Sequence, residues 1–507
     1  MKTNLRQRIL ERAVIFLLCA LTAACGQGEI PSEALPSSSA QTPAPTEAAE
    51  PTAAPPTEVS SPEPTAESNQ PSRIQYQLSA DLNYHEHLLT VEQGIEIPHP
   101  GDVPLEEIVL VVPPRAWPGV FSLEEISLEG EAGLLEYSLE GVRLTVRLRE
   151  NWQPGESRTL SLKYTLALPR QNAREGYGPS PFGYTSRQTN LVDWYPMVPP
   201  FSSESGWVVH DPWIFGEYLV YPAADFEVAL GISNSPDVVV AASARETDHD
   251  NPFSYRLENA RNFVFSISPD YQIREQRVGE TLVRGYAFSF YQIPGQAAFE
   301  TTVEALELFT ELYGPYQQST LSVLQADFNH GMEYEGLFFL SNAMFNSYNG
   351  TEEDFLIIIA AHETAHQWWY GQVANDQALE PWLDEALCTY SELVFLENLY
   401  PEAVPWWWYA RIEFNQPQGR IDRTIYQYNE PLDNNYLNYR NAAYLRGAVF
   451  LSRLREEIGE AQFFAFLRAY RERYQGEIVS GEDFFALLNE YQDPQSLDWL
   501  GEFFSQQ

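Results

Sequence analysis

His362 and His366 stand four residues apart, with Glu363 beside the first, in the run Ala360-Ala361-His362-Glu363-Thr364-Ala365-His366. On a helix, positions i and i+4 lie one turn apart on one face, so both imidazoles can hold one metal ion. A carboxylate next to them is placed to take a proton from water that the ion activates. With 8 histidines among 507 residues, this pattern arises by accident in roughly one chain in a hundred, so chance is a poor explanation. The bland alternative is a set of polar residues on a solvated helix face. Against it, the run follows Phe355-Leu356-Ile357-Ile358-Ile359 and precedes Trp368-Trp369, which makes the predicted helix over 355–369 apolar nearly all round. Two histidines and a glutamate buried there without a partner would be strongly destabilising, and a zinc ion supplies that partner.

A catalytic zinc commonly takes a third protein ligand and leaves its fourth position to water. Glu385 lies nineteen residues past His366, in Pro381-Trp382-Leu383-Asp384-Glu385-Ala386. With these residues the sequence resembles the aminopeptidase N family of zinc peptidases, gluzincins with a thermolysin-like catalytic domain. That family has the two-histidine motif, an 18-residue spacer and a ligand glutamate within Trp-Leu-Asn-Glu-Gly. Asp384 replaces the Asn and Ala386 the Gly, while the ligand position is kept. Upstream, His330-Gly331-Met332-Glu333-Tyr334 resembles the family's Gly-x-Met-Glu-Asn motif and its Gly-Gly-Met-Glu-Tyr variant, with His330 in place of the first glycine. Downstream, Tyr444-Leu445-Arg446-Gly447 resembles Tyr-x-Lys-Gly.

The resemblance implies one zinc ion bound by His362, His366 and Glu385, with Glu363 as general base. It implies that Glu333, supported by Gly331 and Met332, receives the α-ammonium group of a peptide substrate, and that Tyr444 donates to the oxyanion. The expected activity is removal of N-terminal residues from extracellular peptides. Alternatives on the same scaffold are a zinc endopeptidase, an epoxide hydrolase, or a peptide-binding surface lipoprotein without catalysis. Glu392 falls two helical turns after Glu385 on the same face and is a candidate partner for a ligand histidine. Gln188 and Trp194-Tyr195-Pro196 are similar to a β-domain segment that completes the family's substrate site. Other chemistry-bearing residues read as structural: His85 and His87 on a solvated strand edge, Trp406-Trp407-Trp408 in packing, and Cys388 as a small buried side chain.

The elements that must position these groups fall into two blocks. Over 74–275, period-two alternation recurs at Val142 to Leu148, Leu160 to Leu168, Phe226 to Ile232 and Phe263 to Ile267, which predicts an antiparallel, sandwich-like β-domain. Over 276–507 the period becomes helical, with a helix over 297–313, a strand over 320–325 and helices dominating from Tyr390 onward. Ser480 with Asp483 forms a capping box for a late helix. The expected fold is thus α+β and multidomain, the second block being mainly helical with a small sheet. By resemblance, it is the thermolysin-like catalytic domain.

Two segments precede these blocks. Residues 1–25 carry Lys2, Arg6, Arg8 and Arg12 before an apolar run of 12, Ala13 to Ala24, that is followed by Cys25. That run is too short to span a bilayer, so a signal peptide is expected. The ending Leu-Thr-Ala-Ala-Cys resembles a bacterial lipobox, which implies a lipidated Cys25 and an exported chain anchored to the cell membrane or outer membrane. Residues 26–73 are rich in Pro, Ser, Thr and Glu, and read as a disordered tether. Cys19, Cys25 and Cys388 are the only cysteines, so no disulfide framework is expected.

The formal charge of −41 excludes a nucleic-acid partner, because a polyanion would be repelled. The leader carries +3 and the tether −6, leaving −38 on the two folded blocks. Faster turnover of basic or neutral N-terminal residues than of acidic ones is therefore expected.

Overall fold

The computed structural model of the chain describes residues 73–505, apart from 132, 172–179, 430–434 and 493. The leader 1–25, Cys25 within it, and the tether up to residue 72 lie outside the described residues.

Among the described residues the first block has three larger sheets and a two-stranded ribbon, Phe201–Ser202 with Gly206–Trp207. The largest has seven strands in the order Glu246–Asp248, Phe253–Ala260, Ala224–Ser233, Ile74–Asn83, Leu88–Pro98, Ser157–Ala167 and Phe121–Leu128. Its pairings are antiparallel except for one. Ile74–Asn83 runs parallel to Ala224–Ser233, because these strands are joined through the whole intervening block rather than by a hairpin. A three-stranded sheet (Leu105–Val111, Arg143–Trp152, Glu136–Glu140) and a four-stranded one (Val239–Ala242, Phe265–Ser268, Thr189–Leu191, Gly183–Tyr184) share one apolar core with it. The alternation is plain in Ile74–Asn83, where every second side chain is buried, as period two demands of a sheet with one covered face. The expected sandwich-like block is present.

His85 and His87 were expected on a strand, but they occupy the turn between Ile74–Asn83 and Leu88–Pro98. His87 adopts a φ of 53° there and stacks on Tyr184, with ring centroids 3.4 Å apart. A polar run interrupting two apolar-alternating segments forms the hairpin turn.

The second block has a five-stranded sheet in the order Tyr271–Val278, Thr281–Phe288, Thr320–Ala326, Leu337–Ser341 and Met332–Tyr334. Helices α1 (Gln292–Tyr313), α2 (Phe355–Ala365), α3 (Trp382–Leu399) and α4 (Gly447–Ile458) pack into a second apolar core with it. Helix α2 starts where the Asp354 carboxylate accepts from the Leu356 N–H at 2.9 Å, satisfying an otherwise orphan donor. It ends four residues before the predicted limit. His366 closes the last turn, and Trp368 and Trp369 bond back to the Ala365 carbonyl at 2.9 and 3.1 Å in a tightened turn. Ser480 and Asp483 form the expected reciprocal cap on Gly481–Tyr491. Among the described residues no helix is long and apolar enough to cross a membrane.

Candidate metal centre and substrate site

Helices α2 and α3 bring three ligand atoms together. His366 Nε2 lies 3.2 Å from His362 Nε2, and Glu385 Oε2 lies 3.2 Å from His362 Nε2 and 3.6 Å from His366 Nε2. The other ring nitrogens are spoken for. His362 Nδ1 faces Glu392 Oε1 at 3.0 Å, and His366 Nδ1 faces the Trp369 carbonyl at 3.1 Å. With a proton on each Nδ1, both Nε2 atoms present lone pairs to one point, beside a carboxylate oxygen.

That point draws positive charge. Burial opposes protonation of His362, but Glu385 and Glu392 outweigh it and hold the imidazole up at about 9. Burial raises the Glu385 carboxyl, yet the two histidines pull it down to about 2. Two imidazole nitrogens and a carboxylate, all buried, form the donor set that suits zinc, so the residues present fit a zinc ion. Two other acidic groupings lie close by, Glu333 with Glu363 and His366, and Glu217 with Glu333 and Glu385. Each has at most one imidazole, and the set with two is the better nitrogen-rich site.

Glu392 is held from three sides. Besides His362, the Trp407 indole N–H donates to its Oε2 at 2.8 Å and the Arg411 guanidinium to its Oε1 at 2.6 Å. The Trp406-Trp407-Trp408 run is thus packing at its flanks and a hydrogen-bond donor at its centre.

Glu363 Oε2 is buried without a hydrogen-bond partner. Burial pushes this carboxyl above the ordinary carboxylate range, only partly countered by the two histidines. Gly331 faces it: a Cβ there would overlap Glu363 Oε1. Met332 and Glu333 follow on the edge strand of the five-stranded sheet, where Glu333 pairs with Phe338. Glu333 Oε1 lies 4.0 Å from His366 Nδ1. The Gln377 amide donates both to Glu333 Oε1 at 3.2 Å and to Asp384 Oδ2 at 2.7 Å. Burial, then the charge of Glu385, pushes the Asp384 carboxyl up to about 8, close to the neutral state of the Asn found there in the resembling family.

Tyr444 sits in a wide π-helical turn, Arg440–Arg446, just ahead of α4. Its hydroxyl donates to Glu385 Oε1, and its ring lies parallel to His362 with centroids 6.0 Å apart. Such turns recur at functional sites because they reorient one side chain without breaking the helix. Gly447 lets α4 approach α3: a Cβ on it would overlap the Cβ of Ala386.

The structure therefore gathers His362, Glu363, His366, Glu385, Glu333, Gly331, Met332 and Tyr444 around one point. His330 sits apart, exposed, with its ring 5.8 Å from Phe328 and 5.6 Å from Tyr436. Gln188 is a structural residue, donating to Asn190 and Tyr271 and accepting from the Asp327 N–H at 2.6 Å. Trp194 is core, its indole bonded to the Phe263 carbonyl at 3.0 Å. Cys388 is buried and unpaired. Sequence reasoning missed Gln377, Asp193 and Glu217, which line a cavity beside Glu333. Asp193 directly precedes the Trp194-Tyr195-Pro196 segment, the one signal that pointed near it.

Residues 297–505 match the Peptidase family M1 domain, in line with the resemblance that the motifs carry. Aminopeptidase M1-A of Oryza sativa subsp. japonica is 26% identical over 224 residues, covering 41% of this chain and 25% of that protein. Human aminopeptidase RNPEPL1 is 30% identical over 183 residues, covering 34% and 25%. The chain spans about a quarter of the length of these curated relatives. The crystal structure of an M1 zinc metallopeptidase from Deinococcus radiodurans superposes with a TM-score of 0.61 at 18% identity, covering 86% of this chain and 95% of that one. The two-block architecture is shared with it.

Proposed function

We propose that this chain is a zinc-dependent aminopeptidase that removes N-terminal residues from peptides outside the cytoplasm. The observation that carries the reading is the convergence of His362, His366 and Glu385 beside the unpartnered Oε2 of Glu363. His362, His366 and Glu385 would hold one zinc ion. When bound, zinc supplies Lewis-acid polarisation of the scissile carbonyl and lowers the pKa of water next to it. Glu363 takes the proton of the attacking water on Oε2 and returns it to the leaving amine. The Tyr444 hydroxyl turns from Glu385 to the developing oxyanion, where a preorganised donor stabilises charge most. Glu333, steadied by Gln377, accepts the α-ammonium group and so restricts cleavage to the first peptide bond.

Export and a lipid anchor on Cys25 complete the proposal, on the strength of the leader's sequence alone. Acyl-chain labelling of wild-type and Cys25→Ala protein tests the anchor, which predicts label only on the former.

Metal analysis combined with a substrate panel tests the activity. The expected result is about one zinc per chain, cleavage of aminoacyl anilides, and inertness towards N-blocked peptides. Cleavage only of blocked peptides would sink the role of Glu333, and a Glu363→Gln protein with unchanged turnover would sink that of Glu363.

A further inference from the structure

Arg440 opens the π-helical turn that carries Tyr444. It is half-buried, and its hydrogen-bond partners are two neutral side chains. Nε and Nη2 donate to Asn441 Oδ1 at 3.3 and 2.8 Å, and Nη2 donates also to Asn415 Oδ1 at 2.6 Å. Amide oxygens fix a guanidinium in place without cancelling its charge. Nη1 has no partner among the described residues, and no carboxylate there pairs with the group. Burial, and then the like charge of Arg411, lower its affinity for a proton. Arg411 has Glu392 as its own partner. In two folded blocks that carry −38, Arg440 is thus a partly desolvated cation with no acid opposite it.

Its place in the cleft decides which part of a substrate it meets. The run His330-Gly331-Met332-Glu333 sets a direction along the edge strand. Glu333 receives the α-ammonium group, Gly331 faces Glu363 at the scissile bond, and His330 continues past it towards the leaving group. The His330 ring lies 5.6 Å from that of Tyr436, and Tyr436 stands one turn before Arg440, at the end of the short helix Asn435–Tyr439. Burial raises the Tyr436 hydroxyl, Arg440 lowers it and Glu385 raises it again, which sets Tyr436 between the cation and the metal ligands. In the turn itself Ala442, Ala443 and Leu445 take the buried side. Arg440 and Tyr444, four positions apart, leave it on the other. Residues of an extended peptide advance about 3.3–3.6 Å each, so one or two of them cover the helical turn of about 5.4 Å between Tyr444 and Arg440.

We propose that Arg440, held by Asn415 and Asn441, binds a carboxylate on the leaving-group side of the substrate through Nη1. The proposal rests on the aminopeptidase reading, which fixes the direction of the peptide. Two sources supply that chemistry: the C-terminal carboxylate of a peptide of two or three residues, and an acidic side chain just past the scissile bond. Either one neutralises Arg440 with a charge-assisted hydrogen bond. A neutral group in the same place leaves the guanidinium desolvated and uncompensated. Sites built around such groups discriminate against ligands that cannot pair with them.

Steady-state kinetics of the zinc-loaded protein on three peptides test this: leucyl-glycyl-glycine, its C-terminal amide, and leucyl-glutamyl-glycinamide. At least one of the two carboxylate-bearing peptides is expected to show a KM about tenfold below that of the neutral amide. Preference for the first assigns Arg440 to the C-terminal carboxylate, and preference for the third assigns it to an acidic side chain. In Arg440→Met the KM ratio falls towards one, and in Arg440→Lys part of it survives; a ratio within one protein cancels any general loss of activity. Equal KM values for all three peptides in the parent protein, or an unchanged ratio in Arg440→Met, overturn the proposal. Leucine p-nitroanilide has no carboxylate, so its turnover reports the aminopeptidase reading alone. Anilide cleavage without carboxylate preference removes only the role of Arg440, whereas inertness towards the anilide and all three peptides removes the reading and the proposal together.

Discussion

Gly331 and Glu363 face each other so closely that a Cβ on the glycine would overlap Glu363 Oε1. The edge strand and α2 thus meet at a position where one side chain, and no second, fits. The same residue has the Ile359 side chain 3.0 Å from where its Cβ would stand, so the glutamate has little room to retreat.

Gly331→Ala is therefore expected to displace the Glu363 carboxylate while leaving the three metal ligands in place. Turnover should fall by about a hundredfold, since small misplacements of a catalytic group have effects of that order. Zinc content should stay unchanged. Loss of zinc together with activity would mean that the strand, rather than the carboxylate, had moved.

Glu392 is buried with three donors on it, His362, Trp407 and Arg411. Glu392→Ala leaves an arginine guanidinium buried without its carboxylate and frees the imidazole to rotate. Zinc affinity, measured by chelator competition, should drop by about 10–100-fold. Thermal stability should drop as well, because removing one partner of a buried pair costs about 3–5 kcal/mol. Arg411→Met should lower zinc affinity in the same direction by loosening Glu392, and unchanged affinity in both variants would remove Glu392 from the site's support.

Much of this site could be read from local sequence, because its groups come from short motifs on two helices and one strand. His362 and His366 share a helix face by spacing alone, and Glu385 opens the next helix. What could not be read is contact between segments distant in the chain. Glu217 and Asp193 lie in a region without periodicity, and only folding sets them beside Glu333. Arg411 reaches Glu392 from a π-helical stretch, Trp408–Glu413, and such a stretch leaves no clear mark in sequence. The β-block shows the same division. Alternation revealed its strands, while the parallel pairing of Ile74–Asn83 with Ala224–Ser233 depends on the path of the 140 residues between them. The end of α2 was overestimated because Trp368 and Trp369 continue its apolar character through a turn.

Gly447 and Ala386 define how closely α4 approaches α3. Gly447→Ala inserts a methyl group against the Ala386 Cβ and should destabilise by about 1–3 kcal/mol, the usual cost of overpacking. The strain falls next to Tyr444 and Glu385, so turnover should fall with stability. Adding Ala386→Gly removes the opposing methyl and should recover most of both. Failure of the double variant to recover stability would place the strain elsewhere, and chemical denaturation of the four proteins in the cycle reads this directly.

Glu335 gives a stability prediction remote from the metal ligands. It is 2% exposed, and burial pushes its carboxyl up to about 7, with Arg261 pulling the other way. The folded state therefore holds a proton that the unfolded chain releases near 4.5. Its contribution to stability is complete below that pH and is lost as pH rises through about 7. The loss amounts to about 3 kcal/mol at pH 8. Glu335→Gln keeps the shape and removes the titration. Arg261 is not orphaned, because its guanidinium donates to the carbonyls of Tyr221, Gly371, Gln372 and Glu477. Urea midpoints taken between pH 5 and pH 8 should fall for the parent protein more steeply than for the variant, and the variant should be the more stable at pH 8. Parallel curves for the two proteins would show that Glu335 ionises in the folded state as readily as in the unfolded one.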